Sequence, residues 1–148
     1  MNLKERLQAD LVQSMKTHDE TTKWVVKMIK SAIQLAEVAK GGELNQDEML
    51  AIIQKEIKTR EESKADAQKA QRADLVEQAD QQIACLKTYL PEQLDAEGLK
   101  DLVRSVIAQC NASSAKDMGM VMKTLQPLLA GRASNAEASR VVRELLAG

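Results

Sequence analysis

Few residues in this chain combine a reactive side chain with the spacing that catalysis or metal binding requires. The single histidine, His18, lies in a polar segment, and the two cysteines, Cys85 and Cys110, form no Cys-x-x-Cys pair. Nucleophilic catalysis needs a thiol or hydroxyl beside a base, and a zinc site needs several ligands close together. The sequence therefore predicts no catalytic residue, no metal site and no cofactor. We expect a surface or capping His18 and two reduced cysteines that pack as small apolar side chains.

Carboxylate pairs and phosphate-binding motifs do not change this interpretation. Glu61 and Glu62 lie in a polar segment, where solvated charge is the expected role. The sequence contains neither a glycine-rich phosphate loop nor a nucleophile elbow. The residues thus give no support for an enzyme that acts alone.

The most distinctive charged feature is a basic edge near the C-terminus. Residues 112–148 carry five basic and three acidic side chains, whereas residues 1–111 carry 16 basic and 19 acidic ones. Cations of this kind bind nucleic-acid phosphates, although an ordinary solvated helix face is the simpler interpretation of each residue alone. The candidate RNA-binding residues are Lys116, Lys123, Arg132, Arg140 and Arg143.

Met120 is the candidate residue for a protein contact. We expect Met118 and Met122 to pack inward, and Met120 to lie outside or at an interface. Trp24 and Tyr89 are the only aromatic residues of the chain. This scarcity argues against a single-strand binder that stacks bases on aromatic platforms.

The elements that position these residues are predicted to be helices. The chain has no Phe, so Leu, Ile, Val, Ala and seven Met must build the core. Such cores suit helix-on-helix packing, and no alternating strand pattern is visible. We predict an all-α fold with an N-terminal domain over residues 1–91 (about four helices, including a long hairpin) and a three-helix domain over residues 92–148. Pro91 marks the boundary because it disfavours the α conformation of the preceding residue.

The first two helices are predicted from apolar spacing and from capping residues. The first helix runs from Leu3 to Lys16. Its apolar stripe consists of residues four apart: Leu3, Leu7, Leu11 and Met15. The second helix is capped by Asp19 or Thr21 and ends at Gly41-Gly42.

The third helix leads into a polar segment that allows two interpretations. It begins with a capping box between Asn45 and Glu48. Residues 58–74 then hold no large apolar side chain. This segment is either one long exposed helix held by charge pairs or the polar tip of a helical hairpin. We favour a helix with a break near residues 66–71, after which the apolar stripe resumes at Leu75.

Three helices are predicted in the C-terminal domain. Asp95 caps the first of them. The second covers residues 116–125 and is predicted to kink or end at Pro127. The third begins with a capping box between Ser134 and Glu137.

No segment resembles a signal peptide or a membrane anchor. The N-terminus lacks an apolar h-region, and no apolar run approaches the ~20 residues that a membrane span needs. We therefore expect a cytoplasmic protein with no membrane partner.

Several motifs together resemble the YqeY-like family. They are Ser14-Met15-Lys16, Lys55 with Arg60 and Ser63, Arg72 with Asp74-Leu75, Tyr89-Leu90-Pro91, Lys116-Asp117-Met118-Gly119, Gly131-Arg132-Ala133 and the segment from Val141 to Leu145. The likeness spans essentially the whole chain. It implies a helical N-terminal domain followed by a three-helix domain. The resemblance also relates the chain to the tail domain of the B subunit of tRNA-dependent amidotransferases, which is thought to hold the body of the tRNA.

The sequence departs from the family pattern at several positions. Trp24-Val25 stands where members usually carry Leu-Arg, and Ala79 and Gln82 stand where they carry Glu. Ser134 replaces an Asp in the Gly-Arg-Ala-Asp turn. The turn is expected to persist with Ser134 as the helix cap.

Three functions follow from these observations. The resemblance and the basic edge predict a non-catalytic adaptor that binds tRNA or another RNA. The alternative is a helical interaction module that docks on an aminoacyl-tRNA synthetase or another translation protein. The third is an amidotransferase or carbon–nitrogen ligase with glutamine as amide donor. That label comes from the family alone, because no nucleophile with its base is recognisable here.

Overall fold

The computed structural model describes residues 1–147 as seven α-helices and one 3₁₀ turn. The elements are α1 (Leu3–Thr17), α2 (Glu20–Lys40), α3 (Gln46–Lys69), α4 (Ala73–Lys87), α5 (Ala96–Cys110), the 3₁₀ turn (Ala115–Asp117), α6 (Met118–Leu129) and α7 (Asn135–Ala147). No strand occurs within residues 1–147, so the predicted all-α class is confirmed. The chain divides into two compact units, Met1–Leu90 and a second one that begins at Pro91.

Helix ends in the first unit follow from side-chain caps and a glycine. Asn45 and Glu48 form the predicted capping box at the start of α3. Asp19, one of the two predicted candidates, caps α2, and its carboxylate accepts a 3.1 Å hydrogen bond from the Thr22 N–H. Gly41 ends α2 in the left-handed conformation, with φ of 79°. These local signals fix where the helices begin and end.

The core of the first unit is built from the apolar stripes of all four helices. Burial of one such side chain stabilises the fold by about 1.5–3 kcal/mol relative to its exposure. The largest fully buried members are Leu7, Val25, Val26, Ile29, Ile53 and Leu86. Tertiary packing, rather than helix propensity, therefore holds this unit together.

The predicted stripe of α1 is wrong at its end. Leu7 is buried, but Met15 is 47% exposed. Residues four apart rotate by about 40° per step on a helix of 3.6 residues per turn, so the face that begins at Leu3 has turned from the core by Met15. Ser14 follows Leu7 by almost two whole turns and is buried instead. Its hydroxyl donates a hydrogen bond to the Leu11 carbonyl.

The polar segment 58–74 belongs to a helical hairpin, which was one of the two predicted alternatives. α3 continues through the segment, and α4 packs against it after a short turn. Gln71 occupies that turn with φ of 57°. The predicted helix with a break near its end is therefore confirmed. Ala67 and Ala79 are buried, and small side chains of this kind allow two helices to pack without large apolar residues.

The second unit packs α5, α6 and α7 around one core. The predicted cap Asp95 accepts a 2.7 Å hydrogen bond from a first-turn N–H of α5. Ser134 Oγ accepts a 3.1 Å hydrogen bond from the Glu137 N–H at the start of α7. A backbone hydrogen bond of 2.9 Å from Leu94 to Arg132 joins the segment before α5 to the turn before α7. The buried core comprises Leu99, Val103, Val106, Val121, Leu125, Leu129, Ala133, Ala138, Val141 and Val142.

A helix end at Pro127, one of the two predicted outcomes, is wrong. The segment begins with the 3₁₀ turn and continues as α6 through Pro127 to Leu129. Proline removes one helical hydrogen bond and costs about 3 kcal/mol inside a helix. Leu125 and Leu129 are fully buried on either side, and burial of each leucine contributes a comparable stabilisation. Ala130 then ends the helix with a left-handed φ of 42°.

Candidate functional site

The lone histidine lies on the surface of the first unit. His18 is exposed and ends α1 in the left-handed conformation, with φ of 58°. The predicted surface or capping histidine is therefore confirmed. Within residues 1–147, no group of three or more His, Cys, Asp or Glu side chains is arranged to hold a metal ion.

Both cysteines are free thiols packed against the two helical cores, as predicted. Cys85 Sγ lies 3.9 Å from the hydroxyl of Thr22, and Cys110 Sγ lies 3.6 Å from that of Thr124. Partial burial raises the pKa of the Cys85 thiol, and the nearby carboxylates of Asp19 and Asp10 raise that pKa further. Cys85 is therefore held in the protonated form, which is a poor nucleophile.

All five candidate RNA-binding residues lie on the surface of the second unit. They belong to the 3₁₀ turn (Lys116), α6 (Lys123), the turn before α7 (Arg132) and α7 itself (Arg140 and Arg143). Arg140 forms a 3.2 Å ion pair with Glu144, and both side chains are exposed. Such a pair contributes about 0.3–0.5 kcal/mol, so a phosphate can replace it. The other four candidates make no ion pair within the described residues.

Three of these cations are exposed on α6 and α7, two helices that pack against each other. Arg140 and Arg143 are three residues apart and are neighbours on the exposed side of α7. Ser139 Oγ of α7 lies 3.8 Å from Met122 Sδ of α6. Lys123 follows Met122 and is exposed, whereas Arg140 lines a groove between α5 and α7 together with Asp95 and Glu144.

Lys116 and Arg132 are exposed outside the two helices. The 3₁₀ turn that contains Lys116 packs against both α6 and α7. Arg132 lies before the start of α7, where its carbonyl oxygen accepts the hydrogen bond from Leu94. We call the surface formed by Lys116, Lys123, Arg140 and Arg143 the basic face.

Acidic side chains of the second unit are concentrated on α5 and just before it, although acidic and basic residues are equal in number. From residue 91 onward there are seven basic and seven acidic side chains. Four of the acidic ones lie on α5 or just before it: Glu92, Asp95, Glu97 and Asp101. Asp117 is close to the basic face, but its carboxylate accepts hydrogen bonds from the N–H groups of Ser113 and Ser114. Arg140 shares a groove with the carboxylates of Asp95, Glu137 and Glu144. Lys116, Lys123 and Arg143 make no ion pair within the described residues.

Met120 lies on an exposed apolar strip of α6. Its side chain is 48% exposed, and Leu128, two turns further along, is 45% exposed. Met118 and Met122 are partly buried against the core, as predicted. The strip is the surface of the second unit that offers apolar contact to another protein.

Sequence reasoning missed a pair of residues in the first unit, Trp24 and Arg60. The guanidinium carbon of Arg60 lies 5.3 Å from the centroid of the Trp24 ring. Trp24 remains 44% exposed, while its neighbours Val25 and Val26 are fully buried. The sequence did contain one signal for this pair: a lone tryptophan lies just outside the apolar stripe of an amphipathic helix.

The Tyr-Leu-Pro segment at residues 89–91 has a structural role through its tyrosine. The Tyr89 hydroxyl donates a hydrogen bond to the Asp10 carboxylate. Arg6 lies 4.7 Å from the ring centroid and also donates a 2.7 Å hydrogen bond to the Thr88 carbonyl. Burial, followed by the bond to Asp10, raises the pKa of Tyr89 well above its usual range. The phenol is therefore neutral and ties the end of α4 to α1.

These features define a class: an all-helical protein with an exposed basic face on its second unit. The sequence matches the family described as Yqey-like protein over residues 4–146. The chain belongs to the YqeY-like family.

A relative in fission yeast is also similar to this chain. It is an uncharacterized protein of Schizosaccharomyces pombe, 30% identical over 91 residues. The matched region covers 62% of this chain and 74% of the yeast protein. Among the described residues, no helix has the length and apolar character needed to cross a membrane.

Proposed function

We propose that this chain is a non-catalytic adaptor that binds tRNA or another structured RNA through the basic face. The observation that supports this proposal is the exposure of Lys116, Lys123, Arg140 and Arg143 on three elements that pack against one another. Three of these cations make no ion pair within the described residues, and the fourth makes only an exposed one. The surface therefore offers four cations to phosphate groups.

The chemistry of the basic face suits a helical RNA stem better than a single strand. Double-stranded RNA is recognised through its shape, its phosphates and its 2′-hydroxyl groups, and this requires no aromatic platform. The basic face contains no aromatic residue. Arginine guanidinium groups bind phosphate oxygens in a forked geometry, and lysine ammonium groups add charge. Release of counterions from the RNA then supplies much of the affinity.

Family membership makes tRNA the preferred RNA in this proposal. Residues 116–145 resemble the tail domain of the amidotransferase B subunit, for which tRNA holding has been suggested. On this basis the chain would act in translation, in the cytoplasm, and would position tRNA for an enzyme without itself catalysing amide transfer. The raised pKa of the Cys85 thiol is consistent with the absence of a glutamine-hydrolysing nucleophile.

A second function is favoured by the exposed strip of Met120 and Leu128. In this alternative the second unit docks on an aminoacyl-tRNA synthetase or another translation protein through apolar contact. Methionine adapts to irregular partner surfaces and is common at such sites. Partners retained after nuclease treatment, and lost in Met120→Ser, would favour this function over RNA binding.

A filter-binding assay with purified tRNA at low salt tests the main proposal. We expect saturable binding by the full chain and a loss of roughly tenfold in affinity for Lys123→Gln/Arg143→Gln, since two phosphate contacts are removed. The matched control is Arg72→Gln/Arg104→Gln, which removes two exposed, ion-paired arginines elsewhere. Equal losses in both double variants, or no binding by the unmodified chain, would contradict the proposal.

A further inference from the structure

The first unit contains a groove between α2, α3 and α4 that RNA binding by the second unit does not use. Its volume is about 510 Å³, which lies within the roughly 300–1,000 Å³ typical of small-ligand sites. Buried Ala67 and Ala79 contribute to its lining, together with the exposed side chains of Trp24 and Leu75. The groove therefore combines apolar surface with access to solvent.

Arg60 is an unsatisfied cation in this groove. It is the only basic residue among the lining residues, and its Nε atom is buried without a hydrogen-bond partner. Its guanidinium group makes no ion pair within residues 1–147 and stacks on Trp24 instead. A buried donor without an acceptor is costly, most of all when it is charged. The arrangement points to an acceptor that comes from outside the chain.

Neutral polar side chains also line the groove. Gln82 is only 8% exposed and makes no side-chain hydrogen bond to another described residue. Within the described residues the buried polar atom without a partner is Arg60 Nε, so the Gln82 amide keeps contact with solvent and is accessible to a ligand. Ser63, one turn along α3 from Arg60, adds a hydroxyl group to the same lining, and Gln78 adds a second amide. One cation and three neutral polar side chains are thus available to a single ligand.

The charge around the groove selects the ligand class. Asp66 also lines the groove, so its charged lining residues are one cation and one anion. Residues 56–80 of the hairpin carry five basic and seven acidic side chains. This surplus of negative charge repels a polyanion such as RNA, or a phosphate dianion, more strongly than it repels a singly charged group, and the Arg60 guanidinium attracts such a group.

We propose that this groove binds a carboxylate that carries an apolar group. The carboxylate would accept hydrogen bonds from Arg60 in the forked geometry that guanidinium favours, with Gln82 as an additional donor. The apolar group would lie against Trp24 and Ala79. A free carboxylic acid and the C-terminus of a peptide share this chemistry. The site lies in the first unit and is independent of the proposed RNA-binding surface.

Trp24 provides a direct readout because it is the only tryptophan in the chain. N-acetyl-leucine would be titrated into the full-length protein at constant ionic strength while Trp24 emission is recorded. N-acetyl-leucinamide is the neutral counterpart, phenyl phosphate is the dianion, and acetyl-Ala-Ala-Leu with a free C-terminus represents the peptide source. We expect saturable binding of the two carboxylates, with the amide at least roughly tenfold weaker because a charge-assisted interaction is lost.

Substitutions at Arg60 distinguish carboxylate binding in the groove from general effects of protein charge. Arg60→Gln is expected to weaken N-acetyl-leucine binding at least tenfold, and Arg60→Lys to weaken it less, since lysine keeps the charge but loses the fork. Arg72→Gln, an exposed arginine of the same hairpin that pairs with Asp74, should leave binding unchanged. Circular dichroism would verify that each variant is folded. If the tripeptide binds more tightly than N-acetyl-leucine, the ligand is the C-terminus of a peptide. If N-acetyl-leucine binds more tightly, the ligand is a small acid.

Three results would overturn the proposal: equal affinity for the acid and the amide, tighter binding of phenyl phosphate, or unchanged binding in Arg60→Gln. None of these readouts involves the basic face. Failure of this proposal and failure of the RNA proposal are therefore distinguishable.

Discussion

Tyr89 donates the hydrogen bond of its phenol to the Asp10 carboxylate, joining two residues that are 79 positions apart in the sequence. Tyr89 is 5% exposed, and Arg6 stacks on its ring. The Tyr-Leu-Pro motif therefore serves the folding of the first unit, and its tyrosine is not available to a ligand.

Removal of this hydrogen bond is expected to destabilise the first unit. Tyr89→Phe keeps the ring but leaves the partly buried Asp10 without its donor, so the free energy of unfolding should fall by about 1–3 kcal/mol. Urea denaturation followed by circular dichroism measures the change. In the Asp10→Ala variant, the same Tyr89→Phe substitution should lower the free energy of unfolding much less. Equal costs in the two backgrounds would show that the two side chains are not coupled.

The raised pKa of Tyr89 predicts a loss of stability at alkaline pH. The unfolded phenol ionises near pH 10, whereas the folded phenol stays neutral to higher pH. Its contribution is therefore complete below about pH 10 and is lost as the pH rises through the folded-state pKa. Because Tyr89 is the only tyrosine, tyrosinate absorbance reports it alone. Ionisation with a midpoint near pH 10 in a fully helical protein would contradict the account.

Pro127 is expected to destabilise α6. Pro127→Ala restores a backbone N–H within the helix and removes the ring, so the free energy of unfolding should rise by about 1–2 kcal/mol after the entropy gained by the unfolded chain is subtracted. Thermal unfolding by circular dichroism measures this effect. Gln126→Ala, at the exposed neighbouring position, is the control and should change stability by less than about 0.5 kcal/mol. A decrease on Pro127→Ala would mean that the proline has a stabilising role.

The sequence allowed most of the fold to be predicted because helix caps and apolar stripes are local signals. Asn45, Asp95 and Ser134 were recognisable from residue type and spacing alone. A helix end at Pro127 and an inward-facing Met15 were wrong for different reasons. Tertiary burial around Pro127 outweighs its helix-breaking tendency, and a four-residue spacing drifts around the helix before it reaches Met15.

The candidate sites could be predicted only in part. The basic residues were visible as a local excess of charge, but the position of Arg140 in a groove beside Asp95 depends on how α5 and α7 pack. Arg60 and Trp24 lie on different helices, and no local pattern brings them together. Their contact arises from tertiary packing, which a single sequence without an alignment does not reveal.

Cys85 is expected to react slowly with thiol reagents. Burial raises the pKa of its thiol, so little thiolate is present at neutral pH. In Cys110→Ser, which leaves Cys85 as the only thiol, the rate of modification by a disulfide reagent should be at least about tenfold lower in the folded protein than in urea. A modification rate in the folded protein equal to that in urea would contradict this prediction and would support a nucleophilic role for Cys85.

The central claim is that Lys123 and Arg143 bind RNA phosphates, and the salt dependence of tRNA binding tests it most directly. The logarithm of the association constant should fall linearly with the logarithm of the salt concentration. Removal of two phosphate contacts should reduce the slope by roughly 1.4–1.8. We predict this reduction for Lys123→Gln/Arg143→Gln and an unchanged slope for Arg72→Gln/Arg104→Gln. An identical slope for the unmodified chain and Lys123→Gln/Arg143→Gln would contradict the claim.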